Sequence, residues 1–500
     1  MAGRHTRLMP DANVDADVCL IVEGAYPFVV GGVANWVQDL IVGLPDISFA
    51  VVAIKADGRE MPWRLQPPPN VLFVTEVSLA PEIGIAARPR SRSEIEAIAA
   101  LLIRFLVDGG EEPLIELVAV LSRARPAWTA SEVLSHPTTF RAITDYAARD
   151  LPEASFHLIF WAVRTLLGGL LAALLAPLPR AHSYHTISTG FAGLIAARAS
   201  IERGRPSVIT EHGIYLLERQ IEIMMADWIG QHEEAMLTLD GAVPGIRDLW
   251  RRAFENYARA CYDRCDPIVA LYAANNQVQR RLGAAPERVR SIPNGIDVAR
   301  FDMVAAKRDP DRPTIALIGR VVPIKDVQTF IRAAGIVHLD HPQAQFRILG
   351  PTDEDGEYFE ECRALVDALK LGGVVHFEGR VRVDDWLPVI DVVVLTSLSE
   401  AQPLVILEAG ACGIPSVAPD VGSCRELLEG PAGEDAPGGL VTPLVDAEAT
   451  AAAIGELLAD PALRERLGAN LRRRVRRDYD QSMVLARYRA IYEGAMLSGS

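Results

Sequence analysis

Two glutamates separated by seven residues form the pair whose types and spacing most clearly suggest chemistry. Glu400 and Glu408 lie in the stretch "SLSEAQPLVILEAGACGIPSVAPD", with Pro403 between them. Proline suits the first turn of a helix, because its missing N–H costs no hydrogen bond there and its φ angle is already helical. The pattern therefore predicts Glu400 just before a helix and Glu408 about a turn and a half inside it.

The start of this predicted helix suits an anionic ligand. The first N–H groups of a helix lack partners and carry the positive end of the helix dipole, so they can hold a diphosphate. A carboxylate before the helix and another along it can each accept hydrogen bonds from sugar hydroxyls. The spacing alone is explained equally well by an ordinary helix N-terminus that carries acidic side chains.

Two cations precede the glutamates, in "IGRVVPIKDVQTFI". Arg320 leaves the end of a predicted strand and Lys325 begins the next helix, so both can converge on one site. Preorganised cations stabilise negative charge that develops on a leaving group. Either residue alone is explained as a solvated loop residue, and the glutamate pair downstream favours the shared site.

A second candidate loop, near the N-terminus, contains two adjacent glycines. Gly31 and Gly32 lie in "VEGAYPFVVGGVANWVQDLI", between a hydrophobic strand and a predicted amphipathic helix. One explanation is a turn that needs glycine's freedom at positive φ. The other is a loop whose backbone N–H groups must approach a ligand closely.

The elements that must position these residues follow an alternating pattern of strands and helices. "DVCLIVEGAYPF" predicts a buried first strand, and strands and helices alternate from "TIALIGR" through "PSVAPD". This pattern predicts an α/β fold with two doubly wound, Rossmann-like domains, whose ligands lie in a cleft at the carboxyl ends of the strands. Helical periodicity from about 80 to 180 predicts a helical insertion in the N-terminal domain.

The predicted linker is the polar, proline-bearing stretch at 299–313. We assign residues 1–305 to the N-terminal domain and 306–478 to the C-terminal domain. Residues 479–500 are predicted to form a final helix, for which a return to the N-terminal domain is left open. A chain of 500 residues, half of them apolar, is also too long for a single core.

Composition narrows the class of protein. The formal net charge of −15 argues against a protein whose main function is to bind nucleic acid. Six cysteines, with no secretory leader recognisable in the sequence, fit reduced thiols in the cytoplasm. The apolar stretch at 156–176 is just long enough to span a membrane, but Arg164 lies inside it, so a buried or partner-facing helix is expected instead.

The C-terminal half resembles a known family. Its spaced glutamates, together with "DVVVLTS" before them and "EAGACGIPSVA" around them, resemble the Glu-x7-Glu signature of the retaining GT-B glycosyltransferases of family 4. "EGAYPFVVGGVANWV", "STGFAGLIAA" and "ITEHGIYLLERQ" look most like the PelF branch, the glycosyltransferases of Pel-type exopolysaccharide operons. The resemblance implies a GT-B fold, a UDP-sugar donor and a polysaccharide acceptor.

The resemblance also implies roles for the charged residues. Arg320 and Lys325 would bind the pyrophosphate of the donor and stabilise the departing nucleoside diphosphate. Glu400 would orient sugar hydroxyls, and Glu408 would bind the ribose. Transfer would be a same-face displacement in which the leaving phosphate takes the proton of the acceptor, so no protein nucleophile is required.

One departure from the family pattern concerns the donor sugar. The family commonly has Gly-Phe-Gly-Leu after the first glutamate, where this chain has "AQPL". Pro403 cannot donate a backbone hydrogen bond. Backbone N–H groups of Gln402, Leu404 and Val405 remain available, so the use of a diphosphate is more firmly implied than the identity of the sugar.

Further family contacts map onto loops of both domains. Backbone groups that hold the uracil correspond to Arg380 and Val381, in "HFEGRVRVDD". The glycine loop of the first domain, with Gly31 and Gly32, corresponds to the loop placed against the donor phosphates and the acceptor.

A histidine of the N-terminal domain approaches the donor sugar in this family. His182 and His185 compete for that role in "AHSYHTISTGFAGL", and counting back from Gly193 favours His185. His212 and Glu211, in "ITEHGIY", end the next strand and are candidates for contact with the acceptor.

No metal or other cofactor is expected. The "DEDG" at 353–356 looks like an Asp-x-Asp metal motif. However, it falls where the family carries a variable acidic loop, and GT-B enzymes replace a metal with cations and helix dipoles.

The sequence thus predicts a cytoplasmic retaining glycosyltransferase that adds a hexosyl or N-acetylhexosaminyl unit from a UDP-sugar to a growing exopolysaccharide. Its expected partners are the donor, the polysaccharide acceptor and an inner-membrane polysaccharide synthase complex that would recruit it peripherally, but not nucleic acid. Two alternatives stay open: a nucleotide-sugar epimerase of the same fold, and a catalytically silent scaffold of the membrane complex.

Overall fold

The protein is described by a computed structural model that covers residues 15–80, 90–123, 127–152, 154–225, 245–302, 304, 306–431, 434 and 436–498. The chain divides into two compact units. Unit 1 comprises residues 1–291 and 487–500, and unit 2 comprises residues 292–486.

In the described part of unit 1, seven parallel strands form one sheet in the order β3-β2-β1-β4-β5-β6-β7. All seven residues of β2 are buried, as expected for a parallel sheet covered on both faces. The strands are β1 Ala16–Glu23, β2 Phe49–Lys55, β3 Val71–Ser78, β4 Ala181–Thr186, β5 Ser207–Glu211, β6 Cys265–Ala270 and β7 Val289–Ser291.

Helices connect these strands, and the predicted helical insertion lies between β3 and β4. The insertion consists of α2 Arg92–Asp108, α3 Glu111–Arg123, α4 Ala130–Leu134, α5 Pro137–Asp150 and α6 Phe156–Leu175. The other helices of unit 1 are α1 Gly32–Gly43, α7 Phe191–Arg203, α8 Tyr215–Met225, α9 Ile246–Arg264 and α10 Ala273–Arg281. Residues 226–244, between α8 and α9, lie outside the described residues.

Helix α6 is the one helix in the described ranges that is long and apolar enough to cross a membrane. In its most apolar window, 61% of the residues are buried inside unit 1. Arg164 is held within the unit, because its guanidinium donates to the carbonyl of Leu134. These contacts are those of a core helix, as the sequence predicts.

In the described part of unit 2, six parallel strands form a second sheet in the order β10-β9-β8-β11-β12-β13. They are β8 Thr314–Ile318, β9 Gln345–Leu349, β10 Val375–Gly379, β11 Val392–Val394, β12 Ser416–Pro419 and β13 Gly439–Thr442. The helices are α11 Val327–Asp340, α12 Gly356–Ala368, α13 Val383–Trp386, α14 Leu404–Ala411, α15 Cys424–Glu429, α16 Ala447–Ala459 and α17 Pro461–Asp478. Short 3-10 turns cover Val298–Phe301 and Pro323–Lys325.

Each sheet has a point at which the strand order reverses direction. In unit 1 this point lies between β1 and β4, and in unit 2 it lies between β8 and β11. The loops after such neighbouring strands diverge to opposite sides and leave a crevice at their carboxyl ends, where doubly wound sheets bind ligands.

The boundary between the units lies between residues 291 and 292, before the linker predicted at 299–313. The reason is the packing of the intervening segment. Ile296 and Phe301 are buried in a hydrophobic core of unit 2. The backbone N–H of Ile296 also donates to Tyr479 over 2.9 Å, and its carbonyl accepts from Gln481 over 2.9 Å.

The last helix, α18 Gln481–Ser498, begins in unit 2, and its residues from 487 onward group with unit 1. Tyr488 and Tyr492 are fully buried there. The Tyr492 hydroxyl lies 2.6 Å from His185 Nδ1, and the Tyr488 hydroxyl lies 3.0 Å from Thr210 Oγ1. The return to the first domain that the sequence left open is therefore made through a buried polar cluster.

We expect Tyr492→Phe to lower the free energy of unfolding by about 1–3 kcal/mol, because it leaves a buried imidazole nitrogen without its partner. Urea denaturation measures the change. Glu493→Gln is the matched control, since its carboxylate is exposed and lies 3.8 Å from Arg489. Equal stability of the two variants would contradict the assigned role of the buried hydroxyl.

Candidate functional site

A pocket of about 220 Å³ lies in unit 2 at the point where its strand order reverses. Its walls come from the end of β8, from the residues that follow β11 and from the start of α14. Five residues that the sequence predicts for the donor site line this pocket: Lys325, Glu400, Gln402, Leu404 and Val405.

The start of α14 is left without a side-chain cap. Pro403 is the N-cap residue, with an extended ψ of 108°, so it precedes the helix rather than lying in its first turn. The N–H of Ile406 donates back to the Pro403 carbonyl, whereas Leu404 and Val405 occupy the first two helical positions, whose N–H groups have no intrahelical acceptor. In contrast, an N-cap aspartate accepts a backbone hydrogen bond at the start of four other helices of unit 2, namely α11, α12, α16 and α17.

Lys325 and Glu400 form an ion pair in this pocket. Their side chains are 23% and 13% exposed, so the pair is largely shielded from water. Two sets of hydrogen bonds join the loops that carry them. Leu398 N–H donates to the carbonyl of Ile324 over 2.9 Å, and the Thr396 hydroxyl contacts the carbonyl of Lys325 at 3.0 Å.

Two glycines allow these loops to approach each other. Gly422 has φ +55°, and a Cβ there would lie 2.1 Å from the carbonyl oxygen of Glu400. Gly350 has φ +159°, and a Cβ there would lie 1.9 Å from the carbonyl oxygen of Gly319. Any larger residue at either position would collide with backbone and displace a loop of the pocket.

The guanidinium of Arg320 is directed to an acidic loop rather than to the Lys325–Glu400 pair. Its Nη1 atom lies 2.8 Å from Glu354 Oε2, and these side chains are 54% and 40% exposed. Its backbone still follows Gly319, against which the aliphatic stem of Lys325 lies. Ion pairs this exposed contribute about 0–1 kcal/mol, so the contact restrains Arg320 only weakly.

The acidic residues of the "DEDG" loop have structural partners. Asp355 caps α12 by accepting the N–H of Tyr358 over 3.0 Å. Asp353 lies 3.8 Å from the exposed guanidinium of Arg380. In the described ranges, no group of three or more His, Cys, Asp or Glu residues could hold a metal ion. The expectation of metal-independent chemistry stays a prediction.

Two further predicted residues lie outside the pocket lining. Glu408 is the fifth residue of α14; burial raises its carboxyl pKa, and the nearby charge of Arg300 opposes this rise. Val381 follows β10 and packs, half-buried, against a hydrophobic core. Arg300, which pairs with Asp384, was missed by sequence reasoning because only folding brings its charge close to Glu408 of α14.

In unit 1, the two glycines of the N-terminal loop begin α1. Gly31 is the N-cap residue, with an extended φ of −175°, and Gly32 is the first helical residue. A Cβ at either position would meet no atom within 4 Å. Neither a positive φ at Gly31 nor packing against the described residues requires these glycines, and their contact with a ligand stays a prediction.

His185, on β4, and His212, directly after β5, differ in their hydrogen-bond partners. His185 is fully buried, and its Nδ1 and Nε2 atoms lie 2.6 Å from the Tyr492 hydroxyl and 2.9 Å from Thr210 Oγ1. Burial lowers the pKa of His185 to about 3, and the charge of His212 contributes to this. Both ring nitrogens are thus already hydrogen-bonded, and contact of His185 with a sugar stays a prediction.

His212 and Glu211, at the end of β5, also differ from each other. His212 is 9% exposed, its ring lies edge-on to Trp36, and its buried Nε2 has no hydrogen-bond partner among the described residues. Burial lowers the pKa of His212 to about 4. Glu211 accepts hydrogen bonds from Tyr262 at 2.7 Å and Gln279 at 2.9 Å, so its carboxyl serves the interior of unit 1.

Family comparisons cover both units. A domain of unknown function, DUF3492, matches residues 16–287, which is more than half of the chain. The chain belongs to the DUF3492 family. Residues 299–474 match the glycosyl transferases group 1 family, so the pocket of this DUF3492 protein lies inside its glycosyltransferase domain.

Two individual relatives resemble part of the chain. An exopolysaccharide phosphotransferase of Streptomyces coelicolor is 33% identical over 206 residues, 40% of this chain and 20% of that protein. A D-inositol 3-phosphate glycosyltransferase of Kineococcus radiotolerans is 32% identical over 225 residues, 40% of this chain and 52% of that protein. The chain thus spans a fifth of the first relative and about half of the second.

A solved structure shows the fold. Anabaena HepE in complex with UDP matches with a TM-score of 0.58 and 15% identity, over 95% of this chain and 99% of that chain. The DUF3492 protein therefore has the GT-B glycosyltransferase fold, with a parallel α/β sheet in each unit, as the sequence predicts.

Acid should destabilise unit 1 through its buried histidines. Their pKa values, about 3 for His185 and about 4 for His212, lie below the ordinary value of about 6.5, so the unfolded chain takes up protons first as pH falls. The contribution of the two neutral histidines to the free energy of unfolding is complete above pH 6.5. It is lost as the pH falls from 6.5 to the pKa values of the folded state, about 3 and about 4.

Denaturation with urea at pH 7 and pH 5 measures this loss. We expect His212→Gln to lose less stability between the two pH values than the wild type. His157→Gln, which changes an exposed histidine, should behave as the wild type does. An unchanged pH dependence in His212→Gln would contradict the argument.

Proposed function

We propose that the protein is a retaining glycosyltransferase that transfers a hexosyl or N-acetylhexosaminyl unit from a UDP-sugar to a growing Pel-like exopolysaccharide. The observation that carries the proposal is the meeting of Lys325, Glu400 and the uncapped start of α14 in one pocket. This combination offers a cation, a carboxylate and two backbone donors, which have no acceptor among the described residues, within one pocket of about 220 Å³.

The leaving group explains why these residues are needed. When the bond between the anomeric carbon and the diphosphate breaks, negative charge develops on the departing phosphate oxygen. Lys325 and the N–H groups of Leu404 and Val405 would stabilise this charge without reorganising. Arg320 would join them by leaving its weak surface contact with Glu354.

The remaining predicted residues would orient the donor. Glu400, fixed by its pairing with Lys325, would accept hydrogen bonds from sugar hydroxyls. Glu408 would accept from the ribose, and the backbone at Val381 would hold the uracil. The acceptor hydroxyl would attack the face that the phosphate leaves and give its proton to that phosphate, so that the α configuration is kept.

The comparisons support parts of this proposal. Glycosyltransferases and an exopolysaccharide enzyme are among the curated relatives, and a structure of the same fold was solved with UDP. The Pel-type product rests on the resemblance of the first-domain phrases. We propose that the acceptor is bound by unit 1, where Gly31, Gly32 and His185 or His212 are candidates. Cytoplasmic location with recruitment to an inner-membrane synthase complex belongs to the same proposal.

Lys325→Ala and Glu400→Ala should each lower the rate of UDP release from a UDP-sugar by about a hundredfold or more, because each removes a preorganised polar group from the pocket. The purified protein is incubated with a panel of UDP-hexoses and UDP-N-acetylhexosamines, and UDP is measured with and without acceptor. Circular dichroism checks that the variants stay folded.

Lys307→Ala is the matched control, because Lys307 is exposed in the same unit. Unchanged turnover in both pocket variants would refute the proposal. Conversion of a UDP-sugar to its epimer without acceptor would identify the epimerase alternative instead, and absence of any turnover or donor binding would favour the scaffold.

A further inference from the structure

We propose that the side chain of Gln402 is a specificity-determining hydrogen-bond donor to the donor sugar. This inference rests on the proposed function and names a contact within the same pocket. It replaces a backbone donor that Pro403 removes, and it selects for a sugar oxygen that can accept. A hydroxyl and the carbonyl of an acetamido group share that chemistry.

The orientation of the Gln402 amide is settled by its neighbour. The backbone N–H of Asn294 lies 2.7 Å from Gln402 Oε1. A backbone N–H can only donate, so the atom that faces it must be the amide oxygen rather than the amide nitrogen. The Nε2 group, which has two N–H bonds, is consequently turned away from Asn294.

The Nε2 group remains available to a ligand. Gln402 is 7% exposed, yet its side chain belongs to the lining of the pocket that contains Lys325 and Glu400. Across the described residues, no protein acceptor for Nε2 is found. The amide nitrogen is therefore open to the pocket, and a sugar oxygen that enters the pocket can accept a hydrogen bond from it.

The neighbouring residues explain why a side chain is required here. Pro403 has no N–H, so the backbone at this position cannot donate to a sugar hydroxyl. Glu400, two residues earlier in the chain, can only accept when ionised. Gln402 therefore adds a side-chain donor next to Pro403, in a pocket whose other proposed donors, Lys325 and the N–H groups of Leu404 and Val405, serve the diphosphate.

The test uses the full-length protein and the UDP-sugar that the wild type turns over best. Gln402→Met and Gln402→Glu are compared with the wild type on this donor and on analogues that each lack one hydroxyl, or the acetamido group, of the sugar. Gln402→Glu keeps the oxygen that accepts from Asn294 but cannot donate when ionised. Gln328→Met, a surface glutamine that contacts Glu361 over 3.1 Å, is the matched control.

We expect Gln402→Met to lower kcat/KM for UDP release about tenfold while leaving the Kd of UDP alone unchanged, and Gln402→Glu to lose at least as much. One analogue, which lacks the oxygen that Gln402 contacts, should be turned over equally by the wild type and Gln402→Met. If that oxygen is the acetamido carbonyl, the selective analogue is the UDP-hexose; otherwise it is a deoxy-sugar.

Three outcomes would overturn the inference. A loss of the same size with every analogue would indicate a structural role for the Asn294 contact. Wild-type turnover by Gln402→Glu or Gln402→Met would show that no donated hydrogen bond matters. If the wild type releases UDP from no donor in the panel, the proposed function fails together with the inference. The first two outcomes, in contrast, overturn only the role of Gln402.

Discussion

The positive start of α14, which no side chain caps, is the constraint on which the unit 2 pocket depends. Its first N–H groups, which have no acceptor among the described residues, attract an anion, and Lys325 adds a full charge beside them. Glu400 offsets that charge within the protein and at the same time presents carboxylate oxygen to the pocket. The uncapped start of α14, the Lys325 cation and the Glu400 carboxylate thus stabilise one another. Each would be energetically unfavourable if the other two were absent.

The sheet topology of unit 2 places the start of α14 where a ligand can reach it. The strand order of unit 2 reverses between β8 and β11, and the loops after these strands carry Lys325 and Glu400. Gly422 and Gly350 let the loops pack closely enough to form a pocket. Function therefore depends on backbone packing as much as on the charged side chains, since a displaced loop would separate the ion pair from the start of α14.

The sequence predicts the local parts of this arrangement well. Strand and helix periodicity gives both sheets, and the spacing of Glu400 and Glu408 around Pro403 gives the start of α14 within one residue. Contacts between distant segments were not predictable, because no local pattern encodes them: Arg320 with Glu354, His185 with Tyr492, and Gln402 with Asn294. The packing of Ile296 and Phe301 was not predictable for the same reason, since both lie in polar sequence but pack into the core of unit 2.

The most direct measurement is a crystal structure of the protein with UDP. The account predicts that the β-phosphate lies within hydrogen-bond distance of the N–H groups of Leu404 and Val405 and of the Lys325 ammonium, at the reversal point of the unit 2 sheet. A diphosphate bound elsewhere, or one that leaves the start of α14 uncontacted, would contradict the electrostatic origin proposed for this site.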